Sequence, residues 1–394
     1  MKQKILVLSV LLVVLLAACA PAQSAATLQP VVSTTATPLA AAQAVQQVEY
    51  NPVVTVDSAL LATVQSTFQQ IYQNVNPSVV NIQVIENLGY GSSSGEGSGF
   101  VWDTQGHIVT NNHVVENASS ISVTFADGTT LDATLVGADP ESDLAVIQVD
   151  AGAAELRPVS LADSQAVQVG DLVIAIGNPY GLSGTMTQGI VSALARSLTV
   201  DETNAYSTGS YTIPDVIQTD AAINPGNSGG VLVDVQGRVV GVTAAIQSTS
   251  GSNSGIGFVI PSHIVERVVP VLISDGSYNH PRLGISGATL TPSVAQQVGL
   301  PESQQGVLVL TVSANGPAAK AGLQASTQQY TRNGQAVTVT AGDVITAIDG
   351  QAVTSFDDLT SYLFNNTQVG QSVELTILRA GVAQTLTLTL EAGN

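Results

Sequence analysis

Cysteine occurs once in the 394 residues, as Cys19, so no internal disulfide can form and no cysteine pair is left to hold a metal. Basic residues are nearly as scarce. Ten Lys and Arg stand against 29 Asp and Glu, a formal charge of −19. With a pI near 4.2 the chain repels phosphate backbones, which argues against nucleic acid as a partner. Aromatic residues make up only 4%, and nothing in the composition implies a cofactor. What is abundant points one way. An apolar fraction of 44% excludes disorder throughout, and 36 glycines interspersed with short runs of Val, Ile and Thr predict many strands joined by turns. The length suggests about two domains.

The first eighteen residues read as an export signal: Lys2 and Lys4, an apolar stretch broken only by Ser9, then the small pair Ala17-Ala18. The stretch is short for a membrane span. Leu16-Ala17-Ala18-Cys19 resembles a bacterial lipobox, which makes Cys19 the expected lipidated first residue of the mature chain. An ordinary secretory signal with an incidental cysteine is the alternative. Cleavage before Cys19 removes Lys2 and Lys4 and takes the formal charge from −19 to −21. A multiply acylated N-terminus anchors stably where one chain does not. From Ala20 to about Ser58 the residues are Ala, Gln, Thr, Pro and Val with almost no charge, the composition of a tether.

Apolar residues at Leu60, Leu61, Val64, Phe68, Ile71 and Tyr72 predict a lead-in helix ending before Asn76-Pro77. From Val79 to Ile260 short β-rich runs alternate with Gly, Asp and Asn turns, and no helical period intervenes before Ile264–Val271. An antiparallel barrel or sandwich fits this better than a βαβ fold. A second β-rich unit begins near Arg282. It carries a small-residue helix opened by Pro317 and closed by Gly322, and a capping-box start at Ser355 and Asp358 for Phe356–Phe364.

Three residues carry the chemistry. Ser228 sits in Asn224-Pro225-Gly226-Asn227-Ser228-Gly229-Gly230, directly before the strand Val231–Val233. A serine hydroxyl attacks a carbonyl only if a base takes its proton and donors stabilise the oxyanion. The glycine-rich turn Gly226, Asn227 and Ser228 suits an oxyanion hole, with the N–H groups of Gly226 and Ser228 as donors. Of the four histidines, His113 follows the strand His107–Thr110 in Thr110-Asn111-Asn112-His113-Val114-Val115 and is the candidate base; His107, His263 and His280 lack comparable surroundings. Asp143 precedes the strand Leu144–Val149 and is the candidate orienting carboxylate, with Asp139 as a rival. The order His, Asp, Ser is one of three chain orders known for this chemistry.

These motifs together resemble the HtrA/Deg family of trypsin-fold serine proteases. The resemblance spans roughly Phe68 to Leu390 and includes Gly97-Ser98-Gly99-Phe100, Asp143-Leu144-Ala145-Val146, Ala175-Ile176-Gly177-Asn178-Pro179, the run from Gln218 through Gly230, and Gly255-Ile256-Gly257-Phe258. It implies a mainly β chain: a chymotrypsin/trypsin-like double β-barrel with His113, Asp143 and Ser228 in the cleft. It also implies small aliphatic side chains before the scissile bond. Leu198–Pro214 and Gln247–Ser254 read as polar surface loops, which the family uses as regulatory loops.

Arg282-Leu283-Gly284-Ile285 resembles the carboxylate-binding loop of PDZ domains, and Gly306-Val307-Leu308-Val309 and Gly342-Asp343-Val344-Ile345 extend the likeness. Such a domain adds a peptide C-terminus as an extra strand. Gln324–Ala341 departs from the compact pattern and reads as an inserted hairpin around Asn333-Gly334. The expected layout is a signal at 1–18, a tether at 19–59, a protease domain at 60–274, a linker at 275–281 and a PDZ domain at 282–394. With the export signal and the lipobox-like Cys19, the resemblance implies an exported, lipid-anchored endopeptidase acting on unfolded or mislocalised envelope proteins, assembled as a homotrimer or higher oligomer. The alternatives are a catalytically silent peptide-binding or holdase protein, and an esterase, which would lack the peptide-binding domain.

Overall fold

In a computed structural model the chain is described for residues 58–393 except 88–90, 180–183, 205–206, 245–254, 327–328, 333–334 and 339–341. The export signal, Cys19, the tether through residue 57 and Gln247–Ser254 lie outside the described residues.

Six strands, β1 (Val79–Asn87), β2 (Ser92–Val101), β3 (His107–Thr110), β4 (Ala118–Thr124), β5 (Thr130–Asp139) and β6 (Leu144–Gln148), close into an antiparallel barrel in the order β1-β2-β3-β6-β5-β4. A second barrel follows from β7 (Leu172–Gly177), β8 (Thr185–Asn204), β9 (Ser207–Thr219), β10 (Val231–Val233), β11 (Val239–Ala244) and β12 (Gly257–Pro261), closed as β10-β11-β12-β9-β8-β7.

The period of two along a strand explains why runs such as Leu144–Ile147 are apolar at every position. Ala145 and Ile147 point into the first barrel with Val80, Ile82, Ile108 and Val123. Leu144 and Val146 point outward and meet Val79, Phe100 and Val109 in a core shared with the second barrel. The second barrel divides its residues the same way, with Val173, Ala175, Leu232 and Val259 inside and Ile174, Ile176, Val231 and Ile260 in the shared core. Helix Ser262–Asp275 seals that core with Ile264, Val265, Val268, Val269 and Leu272, all fully buried. Each such side chain contributes about 1.5–3 kcal/mol of transfer free energy. Ile71 and Val75, at the end of helix Ser58–Val75, join the same cluster.

One expected loop is a hairpin. Leu198–Pro214 forms the outer part of β8 and β9, paired from Leu198 opposite Ile213 to Asn204 opposite Ser207. Its Thr and Ser content suggested a solvated loop, but Thr199, Val200, Tyr211 and Thr212 are strand formers set opposite one another across the hairpin.

The C-terminal unit is built on a sheet of β14 (Ile285–Thr289), β15 (Val307–Val312), β18 (Val344–Ile348), β20 (Ser372–Arg379) and β21 (Val382–Thr389), with β19 (Gln351–Ala352) paired to β18. β13 (Pro281–Arg282) pairs with β22 (Glu391–Ala392). Ser355 and Asp358 make the expected capping box: the Ser355 hydroxyl accepts from Asp358 N and the Asp358 carboxylate from Ser355 N. The insertion holds β16 (Gln329–Arg332) and β17 (Gln335–Thr338), paired from Gln329 opposite Thr338 to Arg332 opposite Gln335; the expected turn at Asn333-Gly334 lies outside the described residues. The structure adds a third helix to this unit, Pro292–Gln297, capped by the Thr291 hydroxyl, which accepts from Val294 N, with Pro292 in its first turn.

Candidate active site

His113 lies in the one-turn helix Asn112–Val115, immediately after β3, and Asp143 in the turn that enters β6. β3 and β6 are neighbours in register, with Thr110 opposite Ala145. That pairing carries the two residues, thirty apart in sequence, to one end of the barrel. His113 Nδ1 lies 2.8 Å from Asp143 Oδ2, and the His113 backbone N–H donates to Asp143 Oδ1 at 3.0 Å. Asp143 adopts a left-handed φ of 53°, a conformation costly for most residues. Asn111 Nδ2 and Asn112 N hold it there by donating to the Asp143 carbonyl at 2.9 and 3.1 Å. Burial works against a charge on the imidazole, but the Asp143 carboxylate, through its charge and its hydrogen bond, and Glu116 more distantly outweigh it and raise the His113 pKa.

Every histidine in the chain faces an aspartate, which the sequence did not reveal. His107 pairs with Asp103, His263 with Asp215 at 3.4 Å, and His280 with Asp139 at 2.8 Å. Exposure separates them. The His113 side chain is 38% exposed over a nearly buried carboxylate, whereas both members of the His280–Asp139 pair are buried. Asp139 also accepts from Ser142 Oγ. It therefore faces His280, whereas Asp143 is the carboxylate that faces His113.

The Ser228 turn is held to both barrels and to itself. Ser98 N donates to Ser228 O at 2.7 Å, Gly229 N to Thr243 O at 2.8 Å and Gly230 N to Asn227 O at 3.0 Å. Gly229, at φ 83°, packs so closely that a β-carbon would lie 2.1 Å from Ser98 O. Only glycine fits there. Gly97 touches both halves of the site: a β-carbon on it would meet Val114, next to His113, and Ser228 O. Within the expected oxyanion turn one N–H is already committed. The Asn227 N–H donates to Asn224 O at 2.9 Å and closes the turn, which leaves Gly226 and Ser228 as the candidate donors.

A groove of 890 Å³ runs along the C-terminal unit, lined by Leu283, Gly284, Ile285, Phe356 and Leu363, and is bordered by Glu141 and Pro214 of the barrels. β14 is the edge strand of its sheet and faces helix Phe356–Asn366, with the Phe356 ring against Gly287. An edge strand beside a helix is the arrangement that accepts an added peptide strand. Arg282 at the groove's end pairs with Glu141 Oε1 at 2.5 Å. Phe364 leaves the groove helix to join the core of the barrels and stacks on His280.

Comparison with known proteins agrees with this architecture. Residues 97–242 match the trypsin-like peptidase domain family and residues 281–390 the PDZ domain family. The chain is 45% identical over 298 residues to Protease Do-like 1, chloroplastic, of Arabidopsis thaliana, covering 75% of this chain and 64% of that one. Over 296 residues it is 40% identical to the periplasmic serine endoprotease DegP of Escherichia coli strain K12, covering 75% and 56%. It thus spans between half and two thirds of the length of these curated relatives. The solved HtrA-type protease AlgW with a decapeptide aligns over 83% of this chain and 99% of its own, with a TM-score of 0.65 and 33% identity. The chain belongs to the HtrA/DegP family of trypsin-like serine proteases bearing a PDZ domain.

Proposed function

We propose that the protein is an ATP-independent serine endopeptidase in which Ser228 is the nucleophile, His113 the general base and Asp143 its orienting carboxylate. The observation that carries the reading is the His113–Asp143 pair, in which one buried carboxylate receives both Nδ1 and the backbone N–H of the same histidine. Nδ1 is thereby kept protonated and Nε2 left to accept. Ser228 Oγ attacks the peptide carbonyl while Nε2 takes its proton, and the resulting oxyanion is received by the N–H groups of Gly226 and Ser228. His113 returns the proton to the leaving amine. Water then repeats the sequence on the acyl-enzyme.

The base works only when neutral, so activity rises with pH through the His113 pKa. Because that pKa is raised, kcat/KM is expected to reach its half-maximum above pH 6.5, the ordinary imidazole value. A profile of kcat/KM from pH 5 to 9 measures it. A limb at or below that value would mean that Asp143 does not govern the base.

The PDZ groove is read as a receptor for protein C-termini, and the substrates as unfolded or mislocalised envelope proteins. Small aliphatic side chains before the scissile bond fit this reading: Ala221 and Ile223 are buried just before the nucleophile turn, and the Ile223 side chain fills the space beside Gly257. The turn Asp139–Asp143 offers a physical connection between groove and chemistry, since it holds His280 through Asp139, Arg282 through Glu141 and His113 through Asp143. The mature chain is taken to be exported and lipid-anchored through Cys19, facing outside the cytoplasm, and to assemble as a homotrimer or higher oligomer. Casein digestion with and without hydrophobic C-terminal peptides, on the full chain and on a truncation ending near Ser274, tests chemistry and regulation together. Peptide-stimulated cleavage by the full chain is the expected result; no cleavage under any condition would favour a silent peptide-binding protein.

A further inference from the structure

The motif Gly97-Ser98-Gly99-Phe100 contributes a side chain whose role in the site is not evident from sequence. We infer that Ser98 is a positioning residue for the oxyanion turn, its hydroxyl reaching from the first barrel to fix the Gly226 carbonyl and the Asn178 amide of the second. The inference rests on the reading of Ser228 as nucleophile.

Ser98 is fully buried in β2. Its Oγ donates to Gly226 O at 2.6 Å and accepts from Asn178 N at 2.8 Å. A hydroxyl has one proton, so accepting from the amide commits that proton to the Gly226 carbonyl. The main chain of Ser98 holds the same turn by donating to Ser228 O, and Thr110 Oγ1 holds Ser98 in turn by donating to its carbonyl at 2.7 Å. Asn178 is gripped from its other side as well: Asn81, also fully buried, donates through Nδ2 to Asn178 O at 2.9 Å and to Glu96 Oε1 at 2.8 Å.

This matters at Gly226 because of what glycine is. At φ 90° Gly226 occupies a region where the backbone of a glycine turns easily. It packs against Pro179, the residue after Asn178, so closely that a β-carbon would lie 2.7 Å from the proline ring. Pro179 follows the amide that Ser98 accepts from, and the Gly226 carbonyl is the group that Ser98 donates to. One hydroxyl therefore locks both sides of the contact that orients the glycine, a residue proposed to donate to the oxyanion. Displacement of reacting groups by about 1 Å can cost on the order of a hundredfold in rate.

The test compares wild type and Ser98→Ala by fluorophosphonate titration of active sites followed by peptide hydrolysis, with kcat expressed per titrated site. The expected result is a fall in kcat per site of about ten- to a hundredfold with KM changed less than about twofold. The acid limb of the pH profile stays in place, because His113 and Asp143 are untouched. A purely structural role predicts fewer titratable sites and a lower Tm with wild-type kcat per site, and that outcome overturns the inference. Should Ser98→Ala not fold, Asn81→Ala, which frees the carbonyl of the residue whose N–H Ser98 holds and so loosens the Asn178–Pro179 peptide against Gly226, decides it: a lower kcat per site supports the inference and a wild-type value overturns it. No titratable site in the wild type would overturn the reading of Ser228, and this inference with it; wild-type behaviour of the variant overturns the assignment of Ser98 alone.

Discussion

Replacing Ser228 with alanine is expected to lower kcat for peptide hydrolysis by about 10⁶-fold, the scale found when the nucleophile of such a site is removed. The fold should be unaffected. The turn is held by main-chain bonds from Ser98 N to Ser228 O, Gly229 N to Thr243 O and Gly230 N to Asn227 O, none of which uses the serine side chain. Alanine is also smaller than serine, so the buried position accepts it without strain. Stopped assays on the purified variant, alongside a melting curve, measure both halves of this expectation. Activity within tenfold of wild type would remove Ser228 from the chemistry.

The second large effect is at Asp143. Asp143→Asn is expected to lower kcat by about 10⁴. The carboxylate accepts from both Nδ1 and the backbone N–H of His113; an amide has one oxygen with which to do so and presents N–H donors on its other side. Facing those donors, Nδ1 becomes an acceptor and the ring proton moves to Nε2, where it blocks uptake of the serine proton. Folding does not confound the comparison, because asparagine is among the residues that tolerate a left-handed φ such as the 53° observed here. The control is Asp139→Asn. Asp139 pairs with His280 and Ser142, so its loss should affect stability and the contact between units far more than the rate per folded molecule. A 10⁴-fold fall at Asp139 with little change at Asp143 would reverse the assignment.

Much of this was legible in the residues, and the reasons are local. Val79–Val84, His107–Thr110 and Val231–Val233 are β-rich runs bounded by turn formers, and the strands lie where the pattern put them. The glycines around Ser228 announced a tight turn, and at Gly229 the close approach to Ser98 O is the physical reason for one of them. What could not be read depended on contacts distant in sequence. Nothing near Asp139 indicates that its partner is His280, 141 residues later. Nor does Ser98 show by itself that it will meet Gly226, 128 residues away. Leu198–Pro214 is ambiguous for a different reason: threonine and serine suit both loops and hairpin strands, and pairing with the facing strand decides between them.

The central claim is that Ser228 is an activated nucleophile. A fluorophosphonate reacts covalently with such a serine and leaves unactivated hydroxyls unmodified, so the adduct can be located by peptide mass spectrometry after digestion. The account predicts one adduct, on Ser228, formed faster as pH rises through the His113 pKa and absent from Ser228→Ala. An adduct on another residue, or none with the peptide groove filled and the His113 ring neutral, would contradict it.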